Sequence, residues 1–260
     1  MKTLAEIKKI PTSNGFKGFG KNALVAFQKV AAHPLNLIFA VGLPVMMYLI
    51  FGVGKEYSSI ELPHANVSAQ IMVNMAFYGV AVAGSSVAAG ITLERANGVS
   101  RLFSLTPMSP LAFLLTRVVA SLTIITLAIL TTFTVGAYTD AKMEPLVWGI
   151  TGVLLLASAL LATLMGLAFG FLLRSDAAYA GVSGLTVISA FLGGIFIPLE
   201  QMASFVQDLA PFSPLYGGIR LVSYPIYGEG FEWGWVTNLL VWMLIFALLA
   251  WMGNKRDTGR

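Results

Sequence analysis

The chain has 260 residues, of which 57% are hydrophobic and 11% charged, with a formal net charge of +4 and a mean hydropathy of +0.80. A soluble domain carries about 25% charged and roughly 45–50% apolar residues. A water-soluble monomer of this size could not bury so much apolar surface, so the composition is that of a polytopic membrane protein. The absence of cysteine excludes a disulfide framework, a thiolate metal site and a cysteine nucleophile, and two histidines leave little room for a metal centre or histidine-based catalysis.

Residues 1–33 carry six lysines and no apolar signal-peptide core, so the first span is expected to be retained. Within them Phe16, Phe19, Ala23, Phe27 and Val30 recur at helical spacing, opposite Lys17, Lys21 and Gln28. This predicts an amphipathic helix at the cytoplasmic interface, with lysines reaching toward headgroups; a solvated basic tail is the alternative. The same stretch holds a near match to a phosphate loop, Gly15 to Asn22, with Asn22 where Ser or Thr should hold magnesium. The preceding residues are polar and proline-broken rather than a buried strand, so no nucleotide site is expected there.

A membrane-crossing helix needs about 20 mostly apolar residues. Six segments qualify: Pro34 to Val53, Val67 to Leu93, Leu111 to Tyr138, Leu146 to Leu173, Ala177 to Ile197, and Trp233 to Gly253. Residues 34–253 thus form one six-helix transmembrane domain, and 254–260 a short tail. Thirteen of the sixteen Lys/Arg fall before span 1, in or beside the 2–3 and 4–5 connections, and after span 6. Only Lys55, Lys142 and Arg220 fall on the opposite side, where eight of the twelve acidic residues lie. Basic residues accumulate on the cytoplasmic side, which places both termini in the cytoplasm.

The only charge within the six segments is Arg117, near the cytoplasmic end of span 3 and within reach of the headgroups. A charge held at mid-bilayer costs about 2.5–3.5 kcal/mol on insertion scales and usually marks an ion or proton pathway. Its absence argues against gradient-driven antiport. His33 at the inner boundary and His64 in an outer loop do not fit an intramembrane serine protease. The spans do carry uncharged polar residues and Gly166-x-x-x-Gly170, for which helix packing is the simplest account. The functional alternative is a mildly polar, adaptable route for an amphiphile, with Met72, Asn74, Phe77, Ser85, Thr186 and Ser189 as candidate lining.

Two connections carry more information. The cytoplasmic loop 94–110 combines Arg95 and Arg101 with Leu102, Phe103 and Leu105, closed by Pro107 and Pro110. This fits a short amphipathic helix suited to docking, or a tight connector. After span 5, Pro198 interrupts the helix, and Pro211 and Pro214 break the stretch beyond it. Residues 198–232 are predicted to form short re-entrant or interfacial helices on the external side, since semi-polar backbone at membrane depth must be covered. Tyr216, Tyr224, Tyr227, Trp233 and Trp235 form an aromatic belt there.

With these residues in view, the chain resembles the ABC type-2 transporter permease family. Glu94-Arg95-Ala96-Asn97-Gly98-Val99, running to Leu105-Thr106-Pro107, is similar to the family's cytoplasmic coupling helix. Gly194 to Glu200 and Ser213-Pro214-Leu215-Tyr216 resemble its motifs after span 5. Ala96, Val99 and Ala203 depart from the usual acid, threonine and proline.

The resemblance implies an all-α polytopic fold with six transmembrane helices, an N-terminal interface helix, a coupling helix and re-entrant helices between spans 5 and 6. It implies a half-transporter, not itself an enzyme, in a bacterial or archaeal cytoplasmic membrane. Two ATP-binding cassette ATPase subunits, which bind ATP and magnesium, and a second permease would be its partners, together with membrane lipid and no nucleic acid. The coupling residues would be Glu94, Arg95, Gly98, Arg101, Leu102, Phe103, Leu105 and Pro107. The outer gate would comprise Pro198, Glu200, Pro211, Pro214, Tyr216 and Arg220. No metal, cofactor or catalytic residue is expected in this chain. Spans with no charge besides Arg117 favour export of an amphiphilic drug or antibiotic; a lipid-linked polysaccharide or lipid is the second reading, and a non-transporting immunity or sensor component the third.

Overall fold

A computed structural model gives the fold, and the structure describes residues 15–16, 18–31, 38–96, 109–173 and 176–258. Among the described residues the architecture is helical apart from one hairpin of two-residue strands, β1 (Glu61–Leu62) with β2 (Ala65–Asn66), which no sequence pattern announces. Helix α1 (Phe19–Ala31) buries Ala26 and leaves Leu24 and Val25 exposed. A π-turn at Ile38–Gly42 leads into α2 (Leu43–Gly52). The expected start of span 1, Pro34, lies outside the described residues, as do 32–37.

Helix α3 (Val67–Ala89) begins where the Asn66 side chain accepts the Ala69 amide at 3.0 Å, satisfying one of the donors that a helix start leaves unpaired. After Gly90 the chain continues as α4 (Ile91–Ala96). The span boundaries of α5 (Pro110–Ala137) and α6 (Pro145–Leu172) fall within a residue of expectation. Both open with proline at the first helical position, where its fixed φ suits the helix and its missing N–H costs nothing. At 1.5 Å per residue, 28 residues make about 42 Å, more than the roughly 30 Å of hydrocarbon, so both must tilt or protrude.

Helix α7 (Asp176–Leu192) stops five residues short of the expected Ile197. The Gly193 amide still bonds the Ser189 carbonyl at 2.8 Å, but Gly194 sits at φ +77°, which turns the chain out of the helix. Beyond it come a 3₁₀ turn at Leu199–Gln201, α8 (Ser204–Leu209), a second 3₁₀ turn at Ala210–Phe212, and α9 (Tyr216–Tyr227). Helix α10 (Trp233–Thr258) runs five residues past Gly253, into the expected tail.

Among the described residues, four helical stretches are long and apolar enough to cross a membrane: Val67–Leu93, Leu115–Ala137, Pro145–Leu172 and Trp233–Lys255. Leu43–Gly52 and Ala177–Leu192 are apolar but shorter. The chain is a multi-pass membrane protein.

Helix α3 is the axle of the bundle, packed against α2, α5, α6, α7 and α9. Tyr48, Met72, Phe77, Ile124, Leu155 and Met165 are fully buried around it. Helix α10, by contrast, exposes Leu240, Val241, Leu244, Leu248 and Trp251 on one side, as a lipid-facing helix does. The α3–α6 approach depends on missing side chains. A Cβ on Gly166 would collide with the Ser85 carbonyl, and one on Gly170 would lie 2.6 Å from Ile91 Cγ2. The glycine pair is therefore a packing device.

Gly166→Val should force α3 and α6 apart and cost about 3 kcal/mol or more of stability, as overpacking does. Gly149→Val, where nothing lies within 4 Å, should be tolerated far better. Thermal unfolding of the two variants in detergent checks this, and equal melting would refute the close-approach account.

Candidate functional site

Three regions bear on function: the 94–110 loop, the interrupted stretch beyond α7, and the partly open face of α3. The 94–110 loop begins on α4, whose backbone carries Glu94 and Arg95. Gly98, Arg101, Leu102, Phe103, Leu105 and Pro107 lie outside the described residues. The two ends of the loop are anchored. Thr92 is buried and its hydroxyl donates to the Leu173 carbonyl at 3.3 Å, fixing the start of the loop to the end of α6.

At the far end, Ser109 caps α5 by accepting the Ala112 amide at 3.1 Å, and its own amide donates to the Gly15 carbonyl at 2.8 Å. Gly15 sits at φ +72°, and a Cβ there would lie 2.9 Å from Ser109 Cβ. The Asn22 amide reaches Thr116 Oγ1 at 3.4 Å. Gly20, Lys21 and Asn22 thus belong to α1 and its clamp on α5, not to a phosphate cradle. Arg117, expected to reach the headgroups, is instead buried at 7% exposure.

The interrupted stretch holds together through side chains that sequence reasoning passes over. Asn238, near the start of α10, donates to the carbonyls of Pro211 (2.6 Å) and Ser213 (3.2 Å) and accepts the Gly217 amide at 3.0 Å. A lone amide in an otherwise apolar helix is the signal that could have found it. Ser213 Oγ donates to the Ser189 carbonyl at 3.2 Å, and Asn74 Nδ2 to the Ile195 carbonyl at 3.2 Å.

The interrupted backbone is in this way tied to α3, α7 and α10. Glu200 and Arg220 form an ion pair at 3.4 Å, and the guanidinium lies 5.6 Å from the Tyr216 ring centroid. Pro198 precedes the first 3₁₀ turn, Pro211 lies in the second, and Pro214 stands just before α9. Leu215 and Ile219 are buried, while Phe205, Leu209 and Phe212 stay exposed. In the aromatic belt Phe231, absent from the expected set, contacts Tyr224, Trp233 and Trp235 at centroid distances of 5.4, 5.3 and 6.0 Å.

The candidate lining residues divide. Met72, Phe77, Ser85, Thr186 and Ser189 are at most 2% exposed. Phe77 packs against Gly218, and the hydroxyls of Ser85 and Thr186 bond their own helices at Ala81 and Val182. Asn74 is only half-buried, and with Gln70, Val82 and Ser86 it marks the partly open face of α3 at intervals of four residues. Tyr78 falls at the same four-residue spacing but is buried, its ring 4.9 Å from Phe196 in an edge contact. Ser189 Oγ and Asn74 Oδ1 are buried without a hydrogen-bond partner. Met72 lies two positions from Gln70 and Asn74, and Phe77 one position from Tyr78, and the bundle buries both side chains.

Residues 52–253 match the family described as "ABC-2 family transporter protein". The chain belongs to that family. It is also 25% identical over 239 residues, covering 88% of this chain and 94% of the other, to a Bacillus subtilis (strain 168) protein named "Putative transport permease YvfS". The chain is therefore a transmembrane subunit of an ABC transporter. Permeases of this family generally work with ATP-binding cassette ATPases and are typically not themselves catalytic.

Loss of the Asn238 amide removes the side-chain partner of the Pro211 carbonyl and the Gly217 amide, while the Ser213 carbonyl keeps only the Tyr216 amide at 3.3 Å. Asn238→Leu should destabilise that segment by about 1–3 kcal/mol. Amide hydrogen exchange should accelerate at the start of α9 while α3 and α6 stay protected, and unchanged exchange there would remove the staple assignment.

Proposed function

We propose that this chain is the permease half of an exporter in the cytoplasmic membrane of a bacterium or archaeon, moving an amphiphilic drug-like or antibiotic-like solute. It crosses the membrane six times, α2 and α7 completing the two shorter spans, with both termini cytoplasmic. Residues 1–33 form the cytoplasmic segment, 34–253 the transmembrane domain and 254–260 the tail. It works beside a second permease and two ATPase subunits that bind ATP and magnesium.

What supports this most directly is the anchoring of both ends of the 94–110 loop, at Thr92 on α6 and at Ser109 on Gly15. A loop held at both ends passes a push on its middle into α3 and α5 rather than absorbing it. Glu94, Arg95 and Arg101 would contact the ATPase, Leu102, Phe103 and Leu105 would fill its groove, and Gly98 and Pro107 would shape and end the helix. Movement of α3 then reaches the outer region through the Asn74 to Ile195 hydrogen bond. There Pro198, Glu200, Pro211, Pro214, Tyr216 and Arg220 form the gate. ATP closure does its work by favouring one of two permease conformations, which requires different contacts with each.

The solute route follows the Gln70, Asn74, Tyr78 stripe of α3. Met72, Phe77, Ser85 and Thr186 shape it from behind, and Ser189 joins it when the gate opens. The described spans offer no carboxylate to a cation there, consistent with a solute recognised by shape, aromatic contact and neutral hydrogen bonds.

In proteoliposomes with the ATPase, Glu94→Ala and Arg101→Glu should reduce solute export per ATP by about tenfold, within the usual range of coupling energies, while insertion stays normal. Wild-type export by both variants would sink the coupling role. Asn74→Leu should alter which solutes stimulate ATP hydrolysis, whereas Ser85→Ala should not. Identical solute profiles for Asn74→Leu and wild type would remove α3 from the route.

A further inference from the structure

The loops joining spans 1–2 and 3–4 line a half-open cavity of about 570 Å³ that the proposed transport route does not use. Its floor is built rather than incidental. Asn66 is 5% exposed and spends its whole side chain on the walls. Its Nδ2 donates to the Asp140 carbonyl at 2.7 Å, and its Oδ1 accepts the amides of Ala69 at 3.0 Å and Lys142 at 2.9 Å. The Asn66 amide returns to the Lys142 carbonyl, Ala65 bridges Met143, and the Gly54 amide donates to Asp140 Oδ2 at 2.7 Å. A cavity with walls fixed in this way is preorganised, so a ligand loses little in ordering it.

The charges in it are unusual for where they lie. Outward-facing short loops are depleted in lysine and arginine, and this sequence places only three on that side, Lys55, Lys142 and Arg220. Arg220 pairs with Glu200. Lys55 and Lys142 both line the cavity, and neither makes an ion pair among the described residues. The same walls carry Glu61, Asp140 and Glu144. Glu144 is held by His64 Nδ1 at 3.0 Å and Asp140 by the Gly54 amide, which leaves Glu61 without an ion pair among the described residues. A simple anion entering here would face three carboxylates, and a simple cation two ammonium groups. A ligand carrying both charges meets both sets of partners.

We propose that this cavity binds the headgroup of a zwitterionic phospholipid bearing a primary ammonium. The phosphodiester would lie between Lys55 and Lys142, with charge-assisted bonds to both, and the ammonium would face Glu61. The volume is in the range of small-ligand sites. The lipid, rather than a soluble phosphate, is favoured by the surroundings. Phe51 and Ile60 on one lining segment and Leu146 beside the other are exposed apolar side chains against which acyl chains can lie. The proposed topology assigns the lipid to the outer leaflet, and the site does not depend on the identity of the transported solute.

The permease is placed in nanodiscs of equal phosphatidylethanolamine and phosphatidylglycerol, and retained lipid is measured by native mass spectrometry. The wild type should retain phosphatidylethanolamine about tenfold over phosphatidylglycerol. Lys55→Ala with Lys142→Ala should abolish that retention, and neither ammonium group holds part of the fold. Glu61→Gln should bring the two lipids to parity while total retained lipid stays high, a change that misfolding would not produce. Equal retention of both lipids by the wild type, or unchanged preference in both variants, overturns the site. Soluble phosphoethanolamine binding as tightly as the lipid overturns the lipid as its source.

Discussion

A chain that leaves the helical conformation inside a membrane protein must find a partner for each freed backbone group, because lipid supplies none. The segment from Gly193 to Leu215 meets that requirement with local backbone turns and, at Ile195, Pro211 and Ser213, with side chains brought from elsewhere. Asn238 of α10 serves Pro211, Ser213 and Gly217; Asn74 of α3 serves Ile195; Ser213 reaches back to Ser189 of α7. The interrupted stretch can lie where it does only because three helices present polar groups to it. The same bonds make it responsive, since a shift of α3 changes the support under Ile195.

The opposite end of the bundle repeats the principle with fewer bonds. Thr92 ties the start of the 94–110 loop to α6, and Ser109 ties its end to the backbone just before α1. Helix α3 runs from that anchor to the interrupted segment, with most of its surface buried and with Gly166 allowing α6 close enough to move with it. A helix so enclosed is a rigid strut, which suits transmission between the two faces better than a loosely packed one would. Gln70 and Asn74 lie on the partly open side of this strut, so under the proposed function solute contact and gate support would share one element.

Much of this was legible in the sequence. Apolar runs of sufficient length, bounded by prolines at 110 and 145, set the ends of α5 and α6 to within a residue. Pro198, Pro211 and Pro214 announced the broken region beyond α7. The facing of each helix was not legible, because α3 is apolar nearly all round and has no strong periodicity to orient it. That is why Met72, Phe77 and Ser85 stood as candidates equal to Asn74, although the bundle buries all three. Asn238 and Phe231 escaped notice for a related reason. Their weight comes from partners distant in the chain, and an amide in an apolar stretch marks Asn238 without saying which backbone groups it serves.

Composition and the placement of lysine and arginine determined by themselves that the chain lives in a membrane, and they favoured one orientation there, because burying charge in hydrocarbon is costly wherever the helices pack. The tertiary structure decided which residues meet. It ended α7 at Leu192, turned α3 so that Asn74 meets Ile195, buried Arg117, and drew Lys55 and Lys142 into one cavity. Those outcomes depend on close packing and on hydrogen bonds between segments far apart in sequence, such as Asn66 with residues 140–142. Local hydropathy holds no record of such pairings.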